Sequence, residues 1–224
     1  MQDLTLVIPA KHESESLPIF LKEINQFPCK KIIVLDENDF KTIDAIKNFN
    51  DIEILFQKKM GYGSALIEGI NSANTTFFCI INADGSMNPS YLSSMLEKVK
   101  NNHLDFLFAS RYEKPDGGSD DDNLITSIGN FFFTSIGNLF FSLNISDILF
   151  TYVLGKKEIF INLKITSEDF TFCVELPIKA KRHRAKYQTM PSYERNRIGG
   201  LKKVNALKDG LLILFKMVKM FFIK

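Results

Sequence analysis

Two apolar runs in this 224-residue chain stop at an acid. "FFCIINADGSMNP", residues 77 to 89, reads as a buried strand that gives way to Asn82, Asp84, Gly85 and Ser86, and "KKIIVL" ends at Asp36 and Glu37. A strand entering a turn needs no carboxylate. Taken singly, each acid reads as a solvated strand end. Two at the same edge of one parallel sheet can instead hold a hard divalent cation and a nucleotide. Mg²⁺ or Mn²⁺ takes few protein oxygens and completes its shell with diphosphate oxygens and water. Such a metal neutralises charge developing on a diphosphate leaving group.

Other chemistry-bearing patterns are weaker. The first strand-to-helix turn, "IPAKHESES", has no G-x-G-x-x-G, and "KKMGYGSALIEG" carries Leu66 where a dinucleotide fingerprint needs glycine. It is no P-loop either. It reads as a Gly-softened turn opening a helix, or as a helix N-terminus with Lys58 and Lys59 near a phosphate group. "YERNRIGGLKK" is a basic loop that on its own reads as a solvated face. Cys29, Cys79 and Cys173, like His12, His103 and His183, are scattered without metal-ligand spacing. That argues against zinc and for reduced thiols in a cytosolic compartment. A net charge of only +2 gives no global basic field for nucleic acid.

The elements that must position the acids alternate. Leu4–Ile8, Ile32–Leu35, Ile52–Phe56, Phe77–Ile81 and Asp105–Ala109 read as strands; Ser16–Gln26, Phe40–Phe49, Ser64–Ala73 and Tyr91–Lys100 read as helices. This rhythm predicts an α/β fold with a largely parallel central sheet, whose ligands bind beyond the carboxyl ends of its strands. From Arg111 the rhythm changes. A polar loop with Asp116, Asp120, Asp121 and Asp122 precedes an apolar stretch in which "TSIGN" occurs at 126–130 and again at 134–138. Helical periodicity puts both copies nearly on one face of a single helix. Phe172–Arg182 reads as a further helix and Lys186–Thr189 as a short strand.

The N-terminus lacks the basic start and long apolar region of a signal peptide. No uncharged apolar stretch of about 18 residues is expected, so a spanning helix is not predicted. Residues 204–224 read as a C-terminal amphipathic helix. At about 100° per residue, Lys208, Lys216 and Lys219 fall within roughly an 80° arc and most of the remainder is apolar. Such a helix packs on the domain, forms an oligomer interface, or lies on a membrane surface with the Phe-rich 124–143 helix as a second contact. Peripheral attachment to the cytoplasmic face is the expectation.

Several motifs together resemble the family-2 glycosyltransferases with the GT-A (Rossmann-like) nucleotide-diphospho-sugar transferase fold, nearest to the polyprenyl-phosphate mannosyl- and glucosyltransferases. "LVIPAKHESESL" resembles that family's "hhIPaxNExxxL", "IIVLDEND" its "hhVVDDxSxD", and "MGYGSALIEGINSANTTFFCIINADGSMNP" its "xGxgxAxxxGixxAxGdxhhxhDADxxxxP". The resemblance implies a nucleotide-binding half over residues 1–110 and an acceptor half over 111–203, with 204–224 appended. Pro9, Ala10, Glu13, Asp36, Gly61, Asn82 and Ala83 would contact the nucleotide. Asp84, with Asn82 and Ser86, would hold Mg²⁺ or Mn²⁺, although the family's D-x-D reads Asn82-Ala83-Asp84 here. "FASRY…GG" places Arg111, with Arg195, on the acceptor phosphate, and "ISDILFTYVLGKKEIF" gives Asp147 the position of the candidate base. Arg197 and Lys202 fall on the phosphate-binding loop, where a guanidinium fork suits diphosphate oxygens.

The activity so implied is metal-dependent, inverting transfer of a sugar from a nucleotide-diphosphate sugar to a polyprenyl phosphate or a glycan precursor. Asn82 keeps open a catalytically impaired nucleotide-sugar-binding relative. A nucleotidyltransferase on a similar scaffold is the other alternative, but it would want glycine after the first strand, which "PAKHES" lacks.

Overall fold

The expected βα alternation is present in the computed structural model, which describes residues 1–199 and 205–223. Strands β1 (Leu4–Pro9), β2 (Lys30–Leu35), β3 (Glu53–Phe56) and β4 (Phe77–Ile80) are joined by helices α1 (Ser16–Ile24), α2 (Phe40–Ile46) and α3 (Tyr62–Ser72). They lie side by side in the order β3-β2-β1-β4, all parallel. Helix α4 (Leu92–Asn101) leads to β5 (Phe106–Ser110).

β5 does not pair with β4. Between them lies β7 (Val153–Lys156), antiparallel to both, and β8 (Tyr187–Pro191) closes the far edge parallel to β5. Strand β7 and the helix α6 (Lys157–Leu163) that follows it were not foreseen. In "TYVLGKKEIF" the glycine lies inside the strand and nothing breaks the step from Lys156 to the helix at Lys157, and so short an apolar run carries no readable period. A two-stranded ribbon pairs β6 (Gly118–Ser119) with β9 (Tyr193–Glu194).

Alternation along the strands builds two buried layers. Leu4, Leu6, Ile8, Cys79 and Ile81 face α1 and α4 through Leu17, Phe20, Leu92 and Met95. Val7, Phe78, Ile80, Phe106 and Phe108 face the opposite way, onto Leu66, Ile70, Phe160 and Phe172. A third cluster joins α5 (Leu124–Phe141), α7 (Phe172–Arg182) and α8 (Ala206–Phe222) through Phe133, Val174, Ile178, Ile213 and Met217.

Helix α5 corrects the expectation of no long uncharged stretch. Its 18 residues contain no charged side chain and are, by length and composition, apolar enough to cross a membrane. The doubled "TSIGN" explains how it is held instead. Asn130, Thr134 and Asn138, spaced by four, accept hydrogen bonds from the backbone N–H groups of Leu149, Ile148 and Ile145, each at 3.1 Å. One polar stripe thus fixes the 145–149 segment. Among the described residues, nothing covers the outer face of α5.

Candidate active site

Most expected site residues within the described region lie at or just beyond the carboxyl ends of the parallel strands, while Asp147 comes from the segment between α5 and the antiparallel β7. Because β1 runs between β2 and β4, its end at Pro9 and Ala10 is flanked by Asp36 on one side and by Asn82, Ala83 and Asp84 on the other. Topology alone brings these residues to one edge.

Asp84 is buried, at 7% exposure. Its Oδ1 accepts hydrogen bonds from the backbone N–H of Ser86 at 3.1 Å and from Ser86 Oγ at 2.9 Å, which curls the loop. Its Oδ2 faces Arg197 Nη1 at 3.4 Å. Gly85 has φ +75°, a conformation that favours glycine, and a Cβ there would fall 2.4 Å from Ile198 Cδ1, so that side chain would have to shift. The 195–198 segment is strapped across this turn. The N–H of Arg195 donates to Ser86 O at 2.8 Å and that of Ile198 to Asp84 O at 2.9 Å. The Arg195 guanidinium is itself spent on Gly85 O and on both oxygens of Glu23, at 2.7–3.2 Å. In this geometry Arg195 is a clamp rather than an acceptor ligand.

Arg197 is the cation at the mouth of the site. It donates to Asp121 through Nε (3.0 and 3.1 Å) and Nη2 (3.0 Å). Burial works against its charge, but the hydrogen bonds it donates to Asp121 and the field of Asp84 outweigh it, so its pKa is raised. Lys202, its expected companion, lies outside the described residues. The acidic run beside it is wholly engaged within the chain: Asp120 accepts from Tyr193 Oη at 2.6 Å, Asp121 holds Arg197, and Asp122 accepts from Tyr112, Thr126 and Ser127 at the start of α5.

Asn82 turns toward the sheet interior. Its Oδ1 accepts from Tyr62 Oη at 3.1 Å, and the Tyr62 and Thr151 hydroxyls lie 2.6 Å apart. Tyr62 stacks on Phe170 with ring centroids 4.9 Å apart. On the nucleotide side, Ser16 Oγ donates to Glu13, and Asp36 Oδ1 accepts from the N–H and Nδ2 of Asn38 at 2.9 and 3.1 Å. Asp39, which the sequence reading passed over, caps α2 and accepts from the backbone N–H of His12 at 2.7 Å. Burial pushes its pKa up, but the bonds from His12 and Thr42 overcome this and hold it low. It ties the first two loops together. An aspartate immediately before Phe40 is an N-cap signal that would have found it.

Two expectations change. The N-terminus of α3 offers no place for phosphate. A Cβ on Gly61, at φ +123°, would fall 2.2 Å from the carbonyl oxygen of Glu168, which also accepts from the N–H of Ser64 at 3.1 Å. The backbone N–H groups of Lys58 and Lys59 are taken by Glu68, and Lys59 Nζ by Glu168. Asp147 is likewise placed for another task. Its carboxylate is fully buried and accepts from Arg111 Nε (2.8 Å), Nη2 (3.0 Å) and the Arg111 backbone N–H (3.1 Å). Arg111 completes its bonding on Glu194 Oε2 at 3.1 Å. Glu194, whose pKa is raised by burial against the pull of Arg111 and Ser119, had no sequence signal. In this arrangement Asp147 and Glu194 orient Arg111, and Arg111 points inward.

The sheet order, the single antiparallel strand and the carboxylate at the end of β4 define a GT-A glycosyltransferase scaffold. Solved structures agree on the fold. A crystal structure of a mycobacterial protein superposes with a TM-score of 0.74 at 9% identity, covering 100% of this chain and 76% of the other. Glucosyl-3-phosphoglycerate synthase from Mycobacterium tuberculosis, in complex with Mn²⁺, uridine diphosphate and phosphoglyceric acid, superposes with a TM-score of 0.72 at 10% identity, covering 100% and 80%. The same enzyme with Mg²⁺ and uridine diphosphate gives 0.73 at 9% identity, covering 100% and 80%.

The chain belongs to glycosyl transferase family 2, whose family model, Glycosyl transferase family 2, matches residues 5–164. Uncharacterised glycosyltransferases of Mycobacterium bovis and Mycobacterium tuberculosis are 30% identical to it over 97 residues. That match spans 43% of this chain and 43% of each relative.

Proposed function

We propose that this protein transfers a sugar from a nucleotide-diphosphate sugar to a phosphate-bearing acceptor, with inversion. The observation that carries the reading is the Asp84–Arg197 pair. It sets a carboxylate at the end of a central strand against a guanidinium from a segment strapped over it. Ser86 binds Asp84 Oδ1 and leaves Oδ2, a hard oxygen donor that would suit Mg²⁺ or Mn²⁺, the ions named with the solved neighbours, once Arg197 turns from it to the diphosphate. No group of three His, Cys, Asp or Glu side chains capable of holding a metal occurs among the described residues. Remaining ligands would therefore come from the diphosphate and Ser86, and from Asn82 only if its Oδ1 leaves Tyr62. When bound, the ion would supply positive charge to the diphosphate.

The chain's own groups do the rest. Pro9, Ala10, Glu13 and Asp36 bound the nucleotide side. An acceptor oxygen bonds to the anomeric carbon from the face opposite the diphosphate as the bond from that carbon to the diphosphate oxygen breaks, and Arg197, released from Asp121, takes the charge as the electron pair moves onto the leaving group. Asp147, buried and thrice bonded, is poorly placed to accept a proton. An acceptor that arrives ionised, such as a lipid phosphate, removes that need. A glycan hydroxyl would require a base from elsewhere.

Calorimetric titration with uridine diphosphate, the nucleotide named with the neighbours, with and without Mn²⁺ tests donor binding. Transfer from nucleotide sugars to polyprenyl phosphate then tests the acceptor. Metal-dependent binding without turnover would favour the impaired relative, and pyrophosphate release from nucleoside triphosphates the nucleotidyltransferase.

A further inference from the structure

We infer that the outer faces of α5 and α8 form one surface that docks flat on a bilayer containing anionic phospholipid. The two helices pack along each other, Gly210 beside Phe133 and Phe140 edge-on to Phe221 at 5.6 Å, so their C-terminal ends lie together. Only Asn130, Phe133, Thr134 and Gly137 of α5 are buried, and only Ile213, Met217 and Met220 of α8. Ile136, Phe141 and Leu214 are half-buried against the third cluster, while many other large apolar side chains of the two helices face outward, Phe131 at 75% and Phe215 at 68% exposure among them. Unpartnered apolar surface of this extent marks a contact with a protein or a membrane.

Charge selects the membrane. The two helices carry one acid, Asp209, and its Oδ2 is engaged by the backbone N–H of Asn205. At their shared C-terminal end, Arg182 donates to the carbonyl oxygens of Met220 and Ile223 and lies 5.9 Å from the Phe141 ring. Beside it an open groove of about 590 Å³ is lined by Lys181, Arg184, Lys186 and Tyr187 together with Leu143 and Asn144, and no acid contributes to its lining. Among the described residues the Lys181 and Arg184 side chains have no ion-pair partner; Lys186 Nζ is held by Asn102 O. A bare apolar face with a basic groove near its C-terminal end matches acyl chains flanked by phosphate headgroups. A second copy of this chain would bring the same cations to the contact.

One expected contributor is withdrawn. Lys216 turns inward to Glu175 at 3.0 Å, so Lys208 and Lys219 alone face out from α8. The Asn130–Thr134–Asn138 stripe keeps α5 against the protein, which makes this a docking face rather than a span. Because Asp122 binds the Thr126 and Ser127 hydroxyls in the first turn of α5 and is followed by the N-cap Asn123, with Asp121 and its partner Arg197 next in line, the docked helix brings the mouth of the active site to the lipid surface.

The test is co-sedimentation of the full chain with vesicles of phosphatidylcholine, alone or mixed with phosphatidylglycerol, without donor or metal. Its failure is therefore separate from any failure of the transferase reading. The mixed vesicles should bind the protein, less so at high salt. Phe131→Ser with Phe215→Ser should weaken binding about tenfold or more, the loss expected from removing two inserted aromatic rings. Lys181→Glu with Arg184→Glu should abolish the preference for phosphatidylglycerol. Both variants should keep the wild-type circular dichroism and thermal transition. Protein that stays in the supernatant, or that sediments equally in all three forms, overturns the proposal. So does a solution dimer that ignores vesicles and dissociates in the Phe131–Phe215 variant, since the face would then belong to a second copy.

Discussion

Arg197 and Asp121 form a two-point ion pair across the mouth of the site, and the same guanidinium reaches Asp84 at 3.4 Å. Arg197 is thereby shared between an acid it must leave and the acid it must serve beside. Asp121→Asn should release it and raise affinity for uridine diphosphate several-fold in a calorimetric titration with Mn²⁺. Arg197→Ala should lower transfer by about 1.5–3 kcal/mol, roughly ten- to a hundredfold, with little change in thermal unfolding. Wild-type turnover from Arg197→Ala would make the pair a surface fastening only.

Asp84→Ala removes the carboxylate that Ser86 orients, and Mn²⁺-dependent nucleotide binding should vanish while the fold persists. Asn82→Asp is the complementary change. It places a second carboxylate within reach of Tyr62 Oη, and Mn²⁺ affinity measured by titration should rise. Metal-independent nucleotide binding by the wild type would remove the basis for both expectations.

Asp147→Asn separates a base from a positioning group. Breaking its pairing leaves Arg111 buried beside Glu194 with one acid fewer, at a cost of about 3–5 kcal/mol in unfolding free energy. The pH profile of kcat should keep its shape, because no proton passes through Asp147. A lost acidic limb in that profile would restore it as the base.

Glu175 gives the fold an acid limit. Burial raises its pKa, but bonds from Lys179, Ser167 and Lys216 dominate and bring it down from 4.5 to about 2. A carboxylate with a depressed folded pKa contributes stability that is complete above its unfolded value and fades as pH falls through the folded one. The window therefore runs from about pH 4.5 down to about pH 2, and the amount at stake is on the order of 3 kcal/mol. Glu175→Gln should flatten that part of the unfolding profile. Lys216 sits on α8, so the same variant should loosen α8 first, visible as faster amide exchange in residues 206–222.

The first half of the chain was legible because its signals are local. Strands such as Lys30–Leu35 and Phe77–Ile80 carry unbroken apolar runs, with Asp36 immediately after the first and Asp84 a few residues beyond the second. What stayed hidden depends on partners distant in sequence. Asp147 meets Arg111 36 residues away, Asp121 meets Arg197 76 away, and Arg195 meets Glu23 172 away. A carboxylate reads the same whether it will hold a metal, take a proton or anchor an arginine. Only the fold assigns its partner. The "TSIGN" echo was visible but mute until Asn130, Thr134 and Asn138 were seen to bind one segment.

The antiparallel strand β7 has a further consequence for how this chain must fold. Residues 4–80 contain all four parallel strands of one half-sheet, and these can assemble as their connections emerge. Yet β4 then presents a naked edge, because its other neighbour is Val153–Lys156 rather than the next strand in sequence. That edge stays open until β5, α5 and the 145–149 segment have been synthesised, and it is a ready template for pairing with another chain. Closure joins β4 and β5 through one short strand, at the entropic expense of a long loop. Refolding should therefore be slowest, and aggregation greatest, at the step where β7 inserts. Gly155 sits there between Phe78 and Phe106, and a Cβ at that position would lie 2.5 Å from the Phe106 ring. Gly155→Ala should therefore retard insertion of β7 and prolong the interval in which the β4 edge is exposed.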